Sequence, residues 1–518
     1  MTLPEWLDPL YSPDEMRAAD SFAIERCGIF ELELAEKAGA GLASAVEDVA
    51  ESGPIRVVVG PGNNGGDGLV AARLLREKGY RVDVLAPLPL EGLEGVPRTN
   101  LERLRGPAPQ AFDAALLRDS GAIVDALLGT GVEGAVGEPL DEVIVAINSQ
   151  GAPVVAADVP SGVNAATGEV EGPAVEASVT STNHAPKIGL YVAQGARNAG
   201  SVRVVDIGIP RGEPGAGLAG LTSRRVLRMV PPRSRYDSVL DAGTVLVAGG
   251  GRYSLGAPSL AALAAMRSGA GLVRVAVPTS TAPIVSSRLL EAPVYGLRED
   301  QDGCHVEDGA EMVVRLAMRN GEPSETIVLG PGMRCGPGET SFALAIGRAN
   351  AIPIVISAGA LSAFATQDAL DGLAGRSGDT ILIVWPDELG LLLGEVSAMV
   401  EGHTFASARA LADRSGSVVL LEGVNPIVVS PGGPCAVGAD DTGALVTHGT
   451  TDVLAGLVGA LLSKGLEPFP AAGVFARAEA GKRASRHVGG ADYTIASDFI
   501  DALPETLPRS MDLPSRTT

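Results

Sequence analysis

Cysteine and histidine are scarce in this chain, and their scarcity excludes two common kinds of site. The four cysteines, Cys27, Cys304, Cys335 and Cys435, lie far apart and form no Cys-x-x-Cys pair. We therefore expect buried free thiols in a reducing compartment rather than a disulfide framework. The five histidines are scattered as well. Because no His-x-x-x-His or mixed Cys/His cluster occurs, a tightly held transition metal is not expected.

Basic charge and long apolar runs are also lacking. The chain has 40 lysine and arginine residues against 62 aspartate and glutamate residues, a formal charge of −22, which argues against nucleic acid or a membrane surface as partner. A phosphate ligand stays open, because backbone amides bind phosphate without lysine. Residues 1–10 lack a signal-peptide pattern, and no apolar run approaches the ~20 residues that span a bilayer. The sequence therefore predicts a cytoplasmic protein.

Short apolar runs that alternate with helical patterns predict an α/β fold. The chain of 518 residues is too long for one core. Apolar residues at helical spacing predict two helices between Pro13 and Val49, the first capped by Ser12. The runs that follow suit buried parallel strands with crossover helices, a three-layer αβα domain. These predicted strands are Val57–Val59, Val82–Leu85, Ala122–Val124, Val154–Ala157, Ser178–Thr182 and Val202–Val205.

A stretch rich in Gly, Pro and Ala, residues 212–220, separates this half from a second α/β sequence. We place the boundary near residue 220, giving domains of residues 1–220 and 221–518. The two halves share a class but show no clear repeat. Strands of the second half are predicted at Thr244–Ala248, Leu272–Val277, Thr326–Leu329, Ile354–Ile356, Ile381–Val384, Val418–Leu421 and Ile427–Val429, and helices at Pro258–Arg267 and Asp452–Leu462.

The glycine-rich turn after the first strand is the most informative segment. It reads Gly-Pro-Gly-Asn-Asn-Gly-Gly-Asp-Gly over residues 60–68 and precedes a helical pattern from Leu69 to Lys78. Such a turn lets backbone N–H groups approach a phosphate at a helix N-terminus. Gly60, Gly62 and Gly65 also satisfy the dinucleotide fingerprint, with Asp83 in the next apolar run. That fingerprint leaves the polar side chains of Asn63, Asn64 and Asp67 unexplained.

Polar residues end several strands of the first half. Because carboxyl ends of parallel strands share one sheet edge, these side chains are expected to converge on a ligand; each alone would be read as a turn or helix cap. The residues are Asn64, Asp67, Asp125, Asp158, Ser161 and Lys187. Asn64, Asp125 and Ser161 offer only oxygen ligands, which suits a hard cation rather than zinc.

Five motifs of the first half carry a family resemblance. GPGNNGGDGLVAARLL, DALLGTG, DVPSGVNAATG, PKIGL and VRVVDIGIP, in this order, resemble the NAD(P)H-hydrate epimerase domain over most of residues 10–210. That family interconverts the R and S epimers of nicotinamide cofactors hydrated on the reduced ring. The resemblance implies a Rossmann-like domain, potassium held by Asn64, Asp125 and Ser161, and Asp158 as the acid/base at the ring hydroxyl. The implied substrate-binding residues are Asn63, Asn64, Gly65, Gly66, Asp67, Gly129, Thr130, Gly131, Val132, Glu133, Gly134, Ala135 and Asp158.

The second half resembles the ADP/ATP-dependent NAD(P)H-hydrate dehydratases, which have a ribokinase-like fold. VLVAGGGRYSLGAPSLAALAAMRSGAGLV, LGPGMRCG and TTDVLAGLVGALLSKG match their framework. In that family a nucleotide phosphorylates the ring hydroxyl, and loss of phosphate restores the reduced cofactor. The resemblance implies Asp452 as the base, with Ala257, Gly332, Trp385 and Asp452 at the substrate and Glu422, Gly423 and Thr451 at ADP or ATP.

Several ligand positions of the second half depart from the family pattern. The usual Asp-Ala-Asp-Ala-Leu has Ser357 and Gly359 at its carboxylates, and Trp385 stands at the usual histidine. Glu422 replaces the lysine of a Lys-Gly pair, which suggests a negative charge where phosphates would lie, and Thr451 replaces a glycine. Loss of a charge-assisted phosphate bond would cost ~1.5–3 kcal/mol. We therefore expect weak or absent dehydration, although a divergent active enzyme stays possible because Asp452 is kept.

Two other functions stay open at this point. The Gly60–Gly65 fingerprint also suits an NAD-dependent dehydrogenase, although no catalytic His or Tyr-x-x-x-Lys is apparent. The second half could instead be a non-catalytic oligomerisation or nucleotide-sensing module. A homo-oligomer acting on a small-molecule substrate, with neither nucleic acid nor membrane as a partner, is the expected working form.

Overall fold

The computed structural model describes residues 3–210, 212–334, 336–438, 443–465 and 469–507. The chain divides into two compact units. The first is built mainly from residues 9–220, and the second mainly from residues 221–400 and 406–518 together with residues 4–8.

The cysteines that the structure describes are free, as the sequence predicts, but only one of them is buried. Cys435 is buried, Cys304 is intermediate and Cys27 is exposed. Cys335 lies outside the described residues. Within the described part of the chain, no helix is both long enough and apolar enough to cross a bilayer.

The first unit is a parallel sheet covered by helices. Its sheet has seven strands within the described residues, in the order β4-β3-β2-β5-β6-β7-β8, and each described pairing is parallel. The chain begins with β1 Leu7–Leu10, which belongs to the larger sheet described below. The elements that follow in chain order are α1 Pro13–Ser21, α2 Glu31–Val49, β2 Ile55–Val59, α3 Asn63–Glu77, β3 Val82–Ala86, α4 Gly95–Arg103, β4 Gln110–Ala111, β5 Ala122–Ala126, α5 Leu140–Asn148, β6 Val154–Ala157, β7 Val179–Asn183, α6 Gly195–Asn198 and β8 Ser201–Val205.

The predicted strands of this unit are confirmed to within two residues at each end. The central strands β2, β5 and β6 are buried along their whole length, whereas the edge strand β8 is partly exposed. The capping box at Ser12 is also confirmed: Ser12 Oγ accepts from the backbone N–H of Glu15, whose side chain accepts from the N–H of Ser12. The prediction of where α3 begins was wrong. The helix begins at Asn63 rather than Leu69, so the glycine-rich segment forms its first turns.

The second unit repeats the same layer principle with a larger sheet. Within the described residues, β18, β17, β16, β15, β10, β11 and β12 lie side by side in parallel, and β19 and β20 continue past β18 as antiparallel strands, with β9 and β1 beyond β20. The strands are β9 Ala219–Thr222, β10 Thr244–Ala248, β11 Leu272–Pro278, β12 Val294–Leu297, β13 Met318–Arg319, β14 Glu322–Pro323, β15 Thr326–Leu329, β16 Ile354–Ser357, β17 Thr380–Val384, β18 Val418–Leu421, β19 Ile427–Val429 and β20 Cys435–Val437.

Helices cover this sheet, and one of them is buried at every residue but one. The helices are α7 Gly256–Arg267, α8 Ala282–Arg288, α9 Asp308–Ala317, α10 Pro337–Gly347, α11 Gln367–Ala374, α12 Pro386–Leu393, α13 Ser397–Gly402, α14 Thr404–Ser415, α15 Thr450–Leu462, α16 Phe469–Val488 and α17 Ala496–Thr506. In α15, a Cβ at Gly456 would lie 2.0 Å from the carbonyl oxygen of Ala261 in α7. Only glycine permits this contact, which lets α15 pack directly against the backbone of α7.

Candidate active sites

The turn between β2 and α3 is built from glycines that have no room for a side chain. A Cβ at Gly60 would lie 1.9 Å from the carbonyl oxygen of Leu127, and a Cβ at Gly65 would lie 1.9 Å from the carbonyl oxygen of Gly60. Gly62 differs, because nothing lies within 4 Å of a Cβ at that position. The turn therefore packs tightly against the loop after β5 while its outer side stays open at the N-terminus of α3.

A cavity of about 490 Å³ opens at this edge of the sheet. Its volume falls within the ~300–1,000 Å³ typical of small-molecule sites. Many residues predicted from the sequence line it: Asn63, Asn64, Asp67, Gly129, Thr130, Gly131, Asp158 and Lys187. Gly65 and Gly66 are buried within α3 behind this surface, and the loop residues Val132, Glu133, Gly134 and Ala135 are not part of the lining.

One wall of the cavity comes from helices that the sequence argument did not use. Arg17 and Asp20 of α1 and Leu34 of α2 lie on this wall, and Asn183 at the end of β7 completes the polar lining. A signal for Asp20 was present in the sequence. It lies four residues after the buried Met16, which places a carboxylate on the inward face of an amphipathic helix.

Asp158 is held by a buried lysine. Its Oδ1 atom accepts from Lys187 Nζ at 2.5 Å, from the backbone N–H of Asn183 at 3.0 Å and from Thr182 Oγ1 at 3.1 Å. The Lys187 side chain is 0% exposed and that of Asp158 is 16% exposed. Asp158 also has a φ of 61°, a left-handed conformation that aspartate tolerates better than most residues. The carboxylate therefore has one oxygen fixed while the residue faces the cavity.

Two further carboxyl groups share this site. Burial raises the pKa of Asp67 well above its usual value, and the charge of Asp158 adds to this, whereas a hydrogen bond from Asn183 Nδ2 opposes it. Burial also raises the pKa of Asp20 to about 6, with Lys187 opposing and Asp158 adding to the rise. Burial and the nearby negative charge therefore favour the protonated forms of Asp20 and Asp67. The site is therefore suited to hold and move a proton.

The residues implied for potassium form a second cluster beneath the cavity. Asp125 is fully buried and accepts from Ser161 Oγ at 2.6 Å, from the N–H of Ser161 at 2.8 Å and from the N–H of Leu127 at 3.3 Å. Burial raises the pKa of Asp125 to about 6, and the bonds from Ser161 oppose this rise. Asn64 Nδ2 donates to the carbonyl oxygen of Leu128 at 2.7 Å, which leaves the amide oxygen of Asn64 for a ligand.

This donor set fits a monovalent hard cation. It combines one buried carboxylate, whose hydrogen-bond donors are neutral, with an amide and a hydroxyl oxygen. A buried carboxylate without a countercharge is costly, and a bound cation would relieve that cost. Elsewhere in the described residues, no three His, Cys, Asp or Glu side chains group as metal ligands.

The structure weighs against the dehydrogenase alternative. Asp83, the acidic residue that would bind a ribose in that function, lies within β3 and forms an ion pair with Arg56 of β2. Both side chains are largely withdrawn from solvent. An acid that is already paired inside the sheet is not available to a dinucleotide at the strand ends.

In the second unit, the turns after β10 and β15 pack around the start of α7. A Cβ at Gly332 would lie 2.7 Å from the carbonyl oxygen of Ser254 and 3.2 Å from the Cβ of Ala257, and Gly332 has a φ of 76°. His305 Nε2 contacts the carbonyl oxygen of Gly249 at 2.8 Å. Gly332 and Ala257, two predicted substrate residues, therefore lie close together.

The residues that depart from the family pattern make specific contacts within the second unit. Trp385 Nε1 donates to Thr451 Oγ1 at 3.1 Å, so two substituted positions bond to each other at the N-terminus of α15. A Cβ at Gly359 would lie 2.2 Å from the carbonyl oxygen of Met333, so this backbone leaves no room for an aspartate there. The buried hydroxyl of Ser357 has no hydrogen-bond partner among the described residues.

The negative charge that the sequence places at Glu422 is paired with a buried arginine, which the sequence analysis did not foresee. The Glu422 side chain is 3% exposed, and its Oε2 lies 2.6 Å from a guanidinium nitrogen of Arg477, which is 0% exposed. That same nitrogen lies 3.5 Å from the carbonyl oxygen of Thr450. Arg477 on α16 thus neutralises Glu422 and ties it to the start of α15. Gly423, which follows, has an open Cβ position.

Asp452, the implied base, lies in the first turn of α15 and is buried. Burial raises its pKa to about 6; the charge of Glu422 adds to the rise and His448 opposes it. Glu388 of α12 has a pKa raised to about 7, chiefly by burial, while its side chain accepts from the N–H of Trp385 at 2.8 Å. A carboxyl group with a raised pKa suits acid–base chemistry.

Comparisons with known proteins cover both units. A family model described as the YjeF-related protein N-terminus matches residues 31–189, and one described as NAD(P)H-hydrate dehydratase matches residues 245–505. The bifunctional NAD(P)H-hydrate repair enzyme Nnr of Salinibacter ruber is 35% identical over 96% of this chain and 95% of its own length. That of Moorella thermoacetica is 33% identical over 96% of each.

Among solved structures, the ADP/ATP-dependent NAD(P)H-hydrate dehydratase of Bacillus subtilis covers 55% of this chain and 96% of its own, with 24% identity and a TM-score of 0.46. The full-length relatives decide the assignment, because they exceed 30% identity across nearly the whole of both chains. The chain belongs to the family of bifunctional NAD(P)H-hydrate repair enzymes.

Proposed function

We propose that this chain repairs hydrated NADH and NADPH in two steps. Residues 1–220 interconvert the R and S epimers, and residues 221–518 dehydrate the S epimer with ADP or ATP. The observation that carries the first step is the cavity at the strand ends, where Asp158, Lys187 and the first turns of α3 meet. The second step rests on family membership and on Asp452 at the N-terminus of α15.

The dinucleotide would bind with its phosphates near the start of α3. The open side of Gly62 and the N-terminus of this helix suit an anion without requiring lysine. Arg17 on the facing wall offers a positive charge. Asn63 and the loop Gly129–Gly131 would then hold the remainder of the cofactor.

The hydrated ring would lie over Asp158. Epimerisation moves a hydroxyl between the two faces of the ring, so protons must be given and taken at that hydroxyl. Lys187 fixes the orientation of Asp158 and keeps one of its oxygens occupied, which leaves the other for the substrate. Lys187 is a positioning residue in this scheme.

Potassium would be held by Asn64, Asp125 and Ser161. When bound, it would neutralise the buried carboxylate and link the turns after β2, β5 and β6, which carry the substrate loops. These residues hold the loops through their own bonds as well, since Ser161 Oγ accepts from the N–H of Leu128 at 2.9 Å.

Dehydration by the second unit is proposed to be the weaker activity. Asp452 can act as base on the ring hydroxyl, and α15 can face the transferring phosphate with its N-terminus. However, Thr451 places a side chain at that N-terminus and bonds it to Trp385. Glu422 pairs with Arg477, so the negative charge of Glu422 offsets the positive charge that Arg477 would offer a nucleotide.

Incubation of the purified chain with racemic hydrated NADH tests both steps. The two epimers are followed by chromatography, with and without ADP or ATP. We expect rapid interconversion of the epimers alone, and slow formation of NADH only when nucleotide is added. Absence of interconversion would contradict the epimerase assignment; NADH formation as fast as interconversion would contradict the weak-dehydratase assignment and leave an ordinary two-step enzyme.

The cellular setting and assembly stay predictions from the sequence. We propose a cytoplasmic location, consistent with the free thiols of the described cysteines, and a homo-oligomer as the working form. Size-exclusion chromatography with light scattering measures the oligomeric state.

A further inference from the structure

The geometry of epimerisation demands more than one acid–base group. The two epimers differ in the ring face that carries the hydroxyl, and the carbon that bears it also bonds the ring nitrogen. A group on one face can help the hydroxyl leave, but its reattachment on the other face needs a proton acceptor there. Asp158 lies at the sheet edge after β6, so it serves one face of a ring bound beside it.

Asp20 occupies the wall that α1 contributes to the same cavity. It is half-buried, and it lines the space together with Asp158 and Lys187. No hydrogen bond or ion pair engages its carboxylate within the described residues, and its proton affinity is set by burial and by surrounding charge. A half-buried carboxylate that faces a cavity without a partner is available to a ligand.

Charged side chains from several elements surround Asp20. Lys187 opposes the rise in its pKa, whereas Asp158 and Glu31 of α2 add to the dominant effect of burial and bring the value to about 6. Asp67 of α3 interacts with it as well, and Arg17 lines the cavity one turn earlier on α1. Asp20 can therefore exchange a proton near neutral pH.

We propose that Asp20 is a second catalytic acid–base residue of the epimerase site, serving the ring face opposite to that served by Asp158. This assignment rests on the proposed epimerase function. It gives α1, which contributes one wall of the cavity, a catalytic role in addition to that of the strand ends.

The reaction balances without any redox partner. The protonated carboxyl group on one face gives its proton to the hydroxyl as the carbon–oxygen bond breaks, and the ring nitrogen lone pair forms a C=N bond. Water is released. A water molecule then adds from the other face, its oxygen bonds the same carbon, the C=N electrons return to nitrogen, and the opposite carboxylate takes the surplus proton.

Isotope exchange separates this role from a structural one. Each epimer of hydrated NADH is incubated in H₂¹⁸O with the parent chain, with Asp20→Asn and with Asp158→Asn. Interconversion should fall ~10²–10⁴-fold in both variants. In Asp20→Asn, one epimer should still take ¹⁸O into its hydroxyl without inversion, because Asp158 can release and restore water on its own face. In Asp158→Asn, the opposite epimer should show that exchange.

Matched variants test whether the loss of interconversion is specific to the carboxylate of Asp20. Asp48→Asn makes the same chemical change on α2 at a position that is 57% exposed and outside the cavity lining, and it should leave interconversion unchanged. Asp20→Glu should recover part of the lost rate, and binding of hydrated NADH should persist in Asp20→Asn.

The outcomes that overturn the proposal differ from those that overturn the function. Parental interconversion in Asp20→Asn, or equal loss of exchange and interconversion for both epimers, would reduce Asp20 to a structural residue while the epimerase assignment stands. If the parent chain does not interconvert the epimers at all, the proposed function fails and this inference fails with it.

Discussion

The two units put their candidate sites at the carboxyl ends of parallel strands, but they use their polar side chains differently. In the first unit, Asp20 and Asp158 face an open cavity and keep hydrogen-bonding capacity for a ligand. In the second unit, Trp385 bonds Thr451 and Glu422 pairs with Arg477. A polar group that already bonds a neighbouring side chain stabilises the fold, but it is less available to bind a substrate.

The comparison also separates two meanings of a raised pKa. Around Asp20 and Asp67, burial acts together with like charge in a space large enough for a substrate. Around Asp452, burial also dominates, yet the nearest added negative charge is that of Glu422, which is itself paired. Only the first pattern indicates an assembled site on geometry and charge together.

The largest loss of activity is expected when Asp158 is replaced. Asp158→Asn suits the left-handed backbone at this position better than alanine, and it should lower the rate of epimerisation ~10²–10⁴-fold. NADH formation from the S epimer should be unchanged. Chromatography of the two epimers measures both effects.

Stability must be controlled in that experiment, because Asp158→Asn leaves Lys187 buried without its counter-ion. Assays are run well below the unfolding midpoint of each variant, and Asp158→Asn with Lys187→Met removes the unpaired charge. A parental rate of epimerisation in Asp158→Asn would mean that the residue only shapes its turn.

The next effect tests whether the Glu422–Arg477 pair is structural. Arg477→Leu leaves a buried, unpaired carboxylate and should lower the free energy of unfolding by ~3–5 kcal/mol, and Glu422→Leu added to it should recover most of this loss. Denaturant unfolding of the four chains of this cycle measures the coupling.

Arg298→Leu is the control for that cycle, since its pair with Asp308 is exposed and contributes little. If Arg477→Leu is no worse than Arg298→Leu, the buried pair is not holding α16 against the strand end. The contrast between the open cavity of the first unit and the paired side chains of the second unit would then lose its main support.

Much of the architecture follows from patterns in the sequence. Fully apolar runs such as Val154–Ala157 identified buried parallel strands, and the polar residues just after them identified the ligand edge. The family motifs then named the chemistry. Those inferences needed only local spacing and the rule that parallel strands end at one edge.

Other features depend on partners distant along the chain. Arg477 lies 55 positions after Glu422, on a helix with no motif of its own, so the compensating charge could not be read from the substitution alone. Asp20 was passed over, although its spacing from Met16 places it on the inward face of α1, because an acidic residue on a helix is usually solvated. The early start of α3 was missed because glycines disfavour helix interiors, whereas here close packing of Gly65 requires them.

A smaller effect concerns potassium and proton competition at Asp125. Its folded pKa, about 6, lies above the unfolded value of 3.8, so the folded state binds more protons between these values and stability falls as pH rises through this window. The shift corresponds to about 3 kcal/mol without a cation. Bound potassium should oppose this loss, so its stabilising effect should be larger at pH 8 than at pH 5.

Thermal unfolding in potassium chloride and in choline chloride measures this difference. Asp125→Asn serves as the matched control, because it keeps the shape of the side chain and removes the charge that potassium would neutralise. An equal response of parent and variant to the two salts would remove Asn64, Asp125 and Ser161 as a potassium site.

The smallest effect tests whether the second site can be reopened. Thr451→Gly removes the hydroxyl that Trp385 engages and exposes a backbone N–H at the start of α15. One regained hydrogen bond to a charged phosphate contributes ~1.5–3 kcal/mol, reduced by ~1 kcal/mol for glycine within a helix. Affinity for ADP, measured by calorimetry, should therefore rise several-fold.

Trp385→Phe keeps an aromatic ring and frees Thr451, and it should raise the affinity for ADP less, because the Thr451 side chain still covers the backbone. The change Glu422→Lys must be combined with Arg477→Leu, since a lysine beside Arg477 would bury two like charges. No gain from any of these variants, together with tight ADP binding by the parent, would show that the Trp385–Thr451 contact is part of a working nucleotide site.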